Sequence, residues 1–437
     1  MEHFAYRDEA SVEADKRSID FLKEVGVDWV SDSHPWGGET EMMNALRDSD
    51  GDKSSPLVSK LYEYAKAQGV KVVFWPTMNN THPWWPEKGR PFLWHRKEWL
   101  MYPEKRPLHG SMLSGLTFQQ TVQGNCIATK PFRDWINRLS LDGLRSGYFS
   151  GWVMDGDFFG GGGVVRPLDC PRDDHDHLPG DSTWACERAL TELIANVRNF
   201  DPKVYIFMYR PPMDLGVFYR RNVDAVFTID EMAKPEAFPG LTNQPVNVML
   251  GDKIRRWSRI RVHHHFFPHY IDQPQVFVGP KSMGKVGQSW PSEAIDYVML
   301  SAISSSPNQL HYLPTKAGIP ARDKQIIRRW LDWGRRNVRY LMVRRDLPDW
   351  PQAGKVDGSA HILKDHGYVF LFNPNPTALD GSFVLDASIG LTQGTPYRVS
   401  CVYPEESARS SVTQGRGETV VWRVPAQTAV VLEILPG

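Results

Sequence analysis

Two carboxylates stand directly after an apolar, strand-like segment. In GWVMDGDFFGGGG (151–163), Val153 and Met154 precede Asp155 and Asp157. In a regular strand the two acids point the same way, so both can reach one pocket. A positioned carboxyl group can act as a nucleophile, a general base or, when protonated, a general acid. The four glycines lack the Lys and helix start of a phosphate-binding loop. We therefore expect them to let the backbone turn away tightly from the acids.

Polar and aromatic residues also follow the ends of other strand-like segments. These further candidates are Asp32, Trp36, Trp75, Arg210, Asp214, Asp230, Glu231 and His265. Carboxylates that hydrogen-bond hydroxyls and rings that stack on C–H faces suit a neutral, polyhydroxylated ligand. Two carboxyl groups on opposite sides of one pocket are the minimum apparatus for glycoside hydrolysis. Asp155 and Asp230 are the pair that we expect to supply it.

Eight β-rich segments alternate with helical patterns up to about residue 350. They are 3–7, 27–32, 71–77, 151–157, 204–210, 224–231, 261–268 and 308–313. Among the helical stretches, 11–26 has Ser11 as its predicted N-cap and Gly26 at its end. This alternation predicts an α/β fold, with a (β/α)8 TIM barrel as the leading architecture. Spacing alone leaves a doubly wound open sheet as an alternative. In a barrel, active sites form at the carboxyl ends of the strands.

The sequence pattern changes after about residue 353. Alternating or continuous β-rich runs, divided by Gly, Pro and Asn, have no long helical partner there. This predicts a C-terminal antiparallel β-sandwich. The expected domains are thus a catalytic barrel over 1–350 and a β-sandwich over 353–437.

Composition excludes several classes of protein. The 437 residues include 51 basic and 51 acidic side chains, so no basic excess points to nucleic acid or an anionic membrane. No apolar run reaches the length of a membrane span. The N-terminus lacks the apolar stretch of a signal peptide, which leaves a cytoplasmic protein or an exported one whose signal was removed. The oligomeric state stays open.

Histidine-rich segments raise the question of a metal. His175 and His177 lie among acids in CPRDDHDHLPGD (170–181), which could be a solvated loop, a substrate-contacting loop or a metal site. In HHH (263–265), side chains on a strand would alternate, which favours one or two pocket histidines over a metal. The four cysteines lack CxxC spacing, so neither a zinc ribbon nor a disulfide framework is expected. We expect no metal and no cofactor.

The chain resembles the α-galactosidase group of glycoside hydrolases, families 27 and 36 of clan D. The segments that carry the resemblance are VSDSHPW (30–36), NCIATKPFRDWI (125–136), VMD (153–155), RPPMDLG (210–216) and FTIDE (227–231). The resemblance implies that Asp155 is the nucleophile, that Asp230 is the acid/base, and that Asp32 binds sugar hydroxyls. Asp157 and Glu231 are close enough in sequence to exchange roles with Asp155 and Asp230.

The sequence also departs from these families. Their strand-four Lys, which binds hydroxyls of galactose, is Val153 here. The sequence begins almost on strand one, without the large N-terminal sandwich common in family 36, which leaves either a compact relative or a protein whose upstream domain was removed. The resemblance implies a retaining, exo-acting α-glycosidase for oligosaccharides or glycosides, with the sugar and linkage open. Two alternatives are a metal-dependent hydrolase that uses the histidines and a non-catalytic carbohydrate-binding barrel.

Overall fold

The computed structural model describes most of the chain in several stretches. The described residues are 9–32, 56–74, 80–81, 97–99, 106–107, 121–124, 126, 128–154, 170–179, 182–209, 222–227, 236–264, 268–277, 290–313, 318–392, 396–404 and 411–437. The chain forms two compact units, residues 1–23 with 27–226, and residues 24–26 with 227–437.

The first unit alternates strands and helices. Its α-helices are α1 (Glu9–Glu24), α2 (Pro56–Ala67), α3 (Lys130–Arg145) and α4 (Ser182–Phe200). Its strands are β1 (Trp29–Asp32), β2 (Lys71–Phe74), β3 (Asn80–Thr81), β4 (Arg106–Pro107), β5 (Thr121–Gly124), β6 (Phe149–Met154), β7 (Tyr205–Tyr209) and β8 (Ala225–Phe227). A 3₁₀ turn covers Lys97–Trp99. Strands β3, β5 and β4 form a small antiparallel sheet.

The main sheet of this unit runs in the order β1-β2-β6-β7-β8. The pairs β1–β2, β2–β6 and β6–β7 are parallel. Gly151 lies where β6 passes between its neighbours, since an added Cβ would lie 2.8 Å from the Tyr205 carbonyl oxygen and 3.0 Å from a Val73 methyl. Any larger residue would push these strands apart.

The helices cover the sheet through one apolar face each. In α1 the buried residues include Val12, Ile19 and Leu22, which recur at helical spacing. In α2 the buried Tyr62 ring lies 5.0 Å from the ring of Phe149 in β6, edge to face. The predicted helix over 11–26 therefore exists, but it begins at Glu9, so Ser11 lies inside it and is not its N-cap. Gly26 follows its end with a φ of +85°.

The second unit combines helices with antiparallel sheets. Its α-helices are α5 (Val246–His264), α6 (Ile295–Ser305), α7 (Ala321–Arg336) and α8 (Val338–Leu341). Its strands are β9 (Asp272–Gln273), β10 (Gln275–Phe277), β11 (Leu310–Tyr312), β12 (Arg345–Asp346), β13 (Asp357–Leu363), β14 (His366–Asn373), β15 (Leu379–Val384), β16 (Tyr397–Tyr403), β17 (Ser411–Gln414), β18 (Thr419–Val424) and β19 (Thr428–Pro436). Strands β10 and β11 pair in parallel.

The C-terminal strands form two antiparallel sheets around one core. One sheet has the order β12-β13-β14-β19-β16-β17, and the other pairs β15 with β18. Alternate residues of both sheets enter a common core, for example Leu371 of β14, Phe383 of β15 and Val424 of β18. This agrees with the predicted antiparallel sandwich. The predicted boundary near residue 353 stays a prediction.

Most strand predictions in the parallel part are confirmed. Six of the eight segments contain a described strand: 27–32, 71–77, 151–157, 204–210, 224–231 and 308–313. Segment 3–7 lies outside the described residues. Parallel strands alternating with helices confirm the α/β class, whereas closure into an eight-stranded barrel is not seen in the described part of the chain and stays a prediction.

The predicted strand over 261–268 is wrong for its first four residues, and residues 265–267 lie outside the described part of the chain. Residues 261–264 form the last turn of α5, and the parallel strand that follows is β10, at 275–277. Arg261 is buried and forms a two-pronged ion pair with Asp272, at 2.6 and 2.8 Å. This ion pair and the continuation of α5 from Val246 outweigh the β-like composition of residues 261–268.

His361 makes the stability of the second unit depend on pH. The ring is buried, Nδ1 donates to the Val343 carbonyl at 2.7 Å, and Nε2 lies 3.0 Å from the Ser359 hydroxyl. Burial, with a smaller contribution from Arg344, lowers the pKa of His361 to about 3. The unfolded chain, with a His pKa of about 6.5, therefore binds the proton first as the pH falls.

We expect this neutral histidine to destabilise the fold as the pH falls from about 6.5 towards 3, by up to about 4 kcal/mol at the lower end. Urea unfolding of wild type and His361→Gln, followed by fluorescence across this range, measures the contribution. The variant should have a shallower dependence of unfolding free energy on pH. If the unfolding free energies of wild type and His361→Gln change equally with pH, His361 titrates alike in the folded and unfolded states.

Candidate active site

The carboxyl ends of four parallel strands lie side by side at one edge of the sheet. Asp32 in β1 is paired with Phe74 in β2, and Phe74 with Trp152 in β6. Two residues further along β6, Met154 is paired with Met208 in β7. Neighbouring strands lie about 4.8 Å apart, so the described carboxyl ends of these four strands lie close together.

The predicted site residues follow this edge in sequence. Asp32 is the last residue of β1, and its side chain is outside the described part. Trp75, Asp155 and Arg210 are the next residues after β2, β6 and β7. The remaining candidates do not directly follow a described strand. The nine candidates that lie outside the described residues are Trp36, Trp75, Asp155, Asp157, Arg210, Asp214, Asp230, Glu231 and His265.

The sheet beneath the edge is a rigid support. Trp152, Ile206, Phe207 and Met208 are all buried at 2% exposure or less. β6 lies between β2 and β7 and is the longest strand of the parallel sheet. The strand that leads into Asp155 is thus held on both sides by backbone hydrogen bonds and on its faces by packed side chains.

The first two of the three consecutive histidines lie on a helix and not on a strand, and His265 is outside the described residues. His263 and His264 end α5, and His263 Nε2 lies 2.8 Å from Asp346 Oδ2. Their predicted alternation on a strand is therefore wrong. His269, beyond the helix, lies 3.1 Å from the Leu341 carbonyl, and burial lowers the pKa of its ring.

The His/Asp segment is fixed to the rest of the first unit over 170–179. Its Asp176 carboxylate accepts a hydrogen bond from the Lys130 backbone N–H at the start of α3. Thr129, the N-cap of that helix, makes no side-chain cap, so Asp176 supplies the missing acceptor. Asp174 pairs with Arg172, and this hydrogen bond lowers the pKa of Asp174 to about 2.

Two cysteines lie beside the two histidines of this segment. One ligand atom from each of Cys126, Cys170, His175 and His177 lies within 4.8 Å of the others. A hydrogen bond with Cys126, followed by burial, raises the pKa of the Cys170 thiol to about 12. The sequence prediction does not include the cysteines, because they lack CxxC spacing and Cys126 is 51 positions from His177. The NCIA segment before α3 was noted only as part of the family resemblance.

Several solved structures are similar to the chain over nearly its whole length. The galactosidase domain of the α-galactosidase-sucrose kinase AgaSK is 14% identical, with a TM-score of 0.61 over 99% of this chain and 52% of that one. The GH36 α-galactosidase AgaA from Geobacillus stearothermophilus is 13% identical, with a TM-score of 0.61 over 97% and 53%. The chain therefore spans about half the length of these relatives.

The similarity extends to a second group of sugar-active enzymes. An α-amylase from Geobacillus thermoleovorans is 10% identical, with a TM-score of 0.57 over 97% of this chain and 92% of that one. No protein-family profile and no curated protein sequence matches the chain. In the described part, no helix is both long and apolar enough to cross a membrane. The chain has the fold of the α-galactosidase-like glycoside hydrolases.

Proposed function

We propose that the protein is a retaining, exo-acting α-glycosidase whose nucleophile is Asp155 and whose acid/base is Asp230. The observation that carries the proposal is the position of Asp155, directly after the central parallel strand of an α-galactosidase-like fold. In barrels built on such sheets, catalytic groups come from the ends of several strands at the carboxyl edge. Asp230 follows the end of β8 by three residues.

In the first step, the Asp155 carboxylate attacks the anomeric carbon as the bond from that carbon to the leaving oxygen breaks. Asp230 gives its proton to the leaving oxygen, so the aglycone departs as a neutral alcohol. The products are a β-linked glycosyl ester on Asp155 and an Asp230 carboxylate. This route requires the two carboxyl groups to be about 5 Å apart.

In the second step, the Asp230 carboxylate takes a proton from water as the water oxygen attacks the anomeric carbon. The ester bond to Asp155 breaks, and both carboxyl groups return to their starting states. Two inversions leave the released sugar with the α configuration of the substrate. No cofactor enters either step.

The remaining predicted residues have binding roles in this proposal. Hydroxyl groups of the sugar would be held by Asp32, Asp157, Arg210, Asp214, Glu231 and His265, with Trp36 and Trp75 as stacking walls. AgaA has been solved in complexes with stachyose and with raffinose. Terminal α-linked sugars of oligosaccharides are therefore the substrate class to test, with galactose one candidate among several because Val153 cannot hydrogen-bond a hydroxyl.

The test is a screen of aryl α-glycosides and aryl β-glycosides of the common hexoses and pentoses with the purified protein. We expect release of the aryl alcohol from at least one α-glycoside and from none of the β series. Proton NMR of the reaction that turns over fastest should show the α-anomer of the free sugar first, with the β-anomer arising later by mutarotation.

Two results would contradict the proposal. If the β-anomer forms first, the enzyme inverts configuration and Asp155 is not a nucleophile. If no glycoside turns over while sugars still bind, the fold serves as a binding barrel. Repeating the active reaction with a chelator separates the glycosidase from a metal-dependent hydrolase, since only the hydrolase loses its nucleophile with the metal.

A further inference from the structure

The cluster of Cys126, Cys170, His175 and His177 has the composition of a closed zinc site. Two thiolates and two imidazoles are a ligand set that structural zinc sites use, in tetrahedral geometry. Soft thiolate ligands together with imidazole select zinc over magnesium or calcium, which prefer oxygen. We propose that these four residues bind one Zn²⁺ ion as a structural site in the first unit.

The distances within the cluster fit a tetrahedron. Cys126 Sγ lies 3.3 Å from His177 Nε2, and Cys170 Sγ lies 3.2 Å from His175 Nδ1. With Zn–S bonds of about 2.3 Å and Zn–N bonds of about 2.0 Å, tetrahedral ligands have S···N separations of about 3.5 Å. These two contacts therefore need to lengthen by only about 0.2–0.3 Å to reach that separation, and all four ligand atoms lie within 4.8 Å of one another.

The burial of the cluster also fits a structural ion. Cys126 and Cys170 are fully buried, His175 is 8% exposed, and His177 is half-buried. The His175 nitrogen that faces Cys170 is Nδ1, and Nε2 is buried with no hydrogen-bond partner among the described residues. Four protein ligands complete a tetrahedron, so no position remains for the water that a catalytic zinc needs.

The surroundings of the ligands hold them in place. His177 Nδ1 lies 2.8 Å from the Leu178 carbonyl, to which it can only donate, so the lone pair is left on Nε2, the atom that faces Cys126. This is the outer hydrogen bond that orients metal-binding histidines. The Cys126 carbonyl accepts from both the backbone N–H and the hydroxyl of Thr129, at 3.0 and 2.9 Å.

Two of the three neighbouring acids are engaged elsewhere, and none of the three belongs to the ligand set. Asp174 pairs with Arg172, and Asp176 accepts from the Lys130 N–H. The ion would therefore join the start of α3 to the segment that begins at Cys170. That segment is the far end of the connection that leaves β6 at Met154, so the zinc would fix this connection to the unit at a second point.

The test measures the metal directly on the full chain. Purified protein, stripped with a chelator and then titrated with Zn²⁺ or Co²⁺, should take up one ion per chain by elemental analysis. Bound Co²⁺ should show intense visible bands of tetrahedral coordination and a thiolate charge-transfer band in the near ultraviolet. Neither readout uses a glycoside, so the result is independent of the proposed glycosidase activity.

Matched variants assign the ligands. Cys126→Ser and His177→Ala should each weaken Zn²⁺ binding by at least about 100-fold, and Cys126→Ser should also reduce the thiolate band. Cys401→Ser is the control, because Cys401 is an equally buried cysteine in the C-terminal sandwich, and it should bind the ion as wild type does. His177 is only half-buried, so its replacement is the variant least harmful to folding.

Two results would overturn the proposal. The first is stripped wild-type protein that binds no more Zn²⁺ or Co²⁺ than Cys126→Ser. The second is thiol titration and peptide mapping that find Cys126 and Cys170 joined in a disulfide in protein purified without oxidant.

Discussion

Replacing Asp155 by glycine is expected to lower kcat on the fastest aryl α-glycoside by roughly 10⁴-fold or more, with Tm unchanged within the scatter of replicates. Without the carboxylate no glycosyl ester forms, so the double displacement loses its first step. Water in the space left by the side chain lacks both the position and the charge of the nucleophile. Initial rates and thermal unfolding of the same preparations measure both effects.

Two controls separate this role from general damage. Asp157→Gly removes a carboxylate two residues away and should lower kcat by a smaller factor, because a group that holds hydroxyls contributes binding without a covalent bond. Glu63→Gln replaces an exposed acid of α2 and should leave kcat and Tm unchanged. If Asp157→Gly loses turnover and Asp155→Gly keeps it, the two acids have the opposite roles.

The rate of an Asp230→Asn variant should depend on the leaving group in a way that the rate of Asp155→Gly does not. Removing the general acid costs about 10²- to 10⁴-fold on a substrate whose aglycone needs a proton. A dinitrophenyl glycoside, whose leaving group departs without a proton, should form the glycosyl ester at nearly the wild-type rate and give a pre-steady-state burst. Asp155→Gly should give no burst on either substrate.

Replacing Arg255 by methionine is expected to lower the free energy of unfolding by about 3–5 kcal/mol. Arg255 is 3% exposed and forms ion pairs with two fully buried carboxylates, Asp252 of α5 and Asp357 of β13. Its guanidinium contacts Asp357 with two nitrogens, at 2.7 and 2.8 Å. Removing the cation would leave both carboxylates buried without their counterion. Urea unfolding followed by fluorescence measures the loss.

The network around Arg255 explains why the loss should be large. The guanidinium donates to the Ser301 hydroxyl at 2.6 Å and lies 4.0 Å from the centre of the Phe372 ring. Tyr297 donates to Asp252 at 2.6 Å. Burial raises the pKa of Asp252, while the positive charge of Arg255 opposes that shift. One side chain therefore joins two helices to the C-terminal sheet.

Two variants test whether charge is the cause. Arg322→Met removes an exposed arginine of α7 and should change the unfolding free energy by no more than about 0.5 kcal/mol. Adding Asp252→Asn and Asp357→Asn to Arg255→Met should recover part of the loss, because no uncompensated charge remains. If the triple variant is less stable than Arg255→Met alone, lost packing outweighs the electrostatic penalty.

The parallel strands were predictable because each is a short apolar run bounded by turn residues. β6 and β7 are buried on both faces, so their sequences, FSGWVM and YIFMY, are almost continuously apolar. The same logic failed for 261–268, where valine, phenylalanine and histidine gave a β-like composition. There a helix that began at Val246 continued, and its buried Arg261 paired with Asp272.

The Cys/His cluster was only partly predictable. His175 and His177 are two positions apart in sequence, which makes them a candidate metal pair, whereas Cys126 comes from a separate segment before α3. Short-range spacing rules find ligands within one loop, and they miss a ligand that a parallel fold brings in from another βα unit. The candidate catalytic acids, Asp155 and Asp230, could be selected from the sequence, because each follows a predicted strand.

The most direct test of the glycosidase proposal is the product that Asp155→Gly makes from an aryl α-glycoside in the presence of azide. Azide can occupy the space of the missing carboxylate and attack the anomeric carbon once, with inversion. The account predicts restored release of the aryl alcohol and a β-glycosyl azide by NMR. No rescue of Asp155→Gly, an α-glycosyl azide, or rescue of Asp157→Gly in its place would contradict Asp155 as the nucleophile.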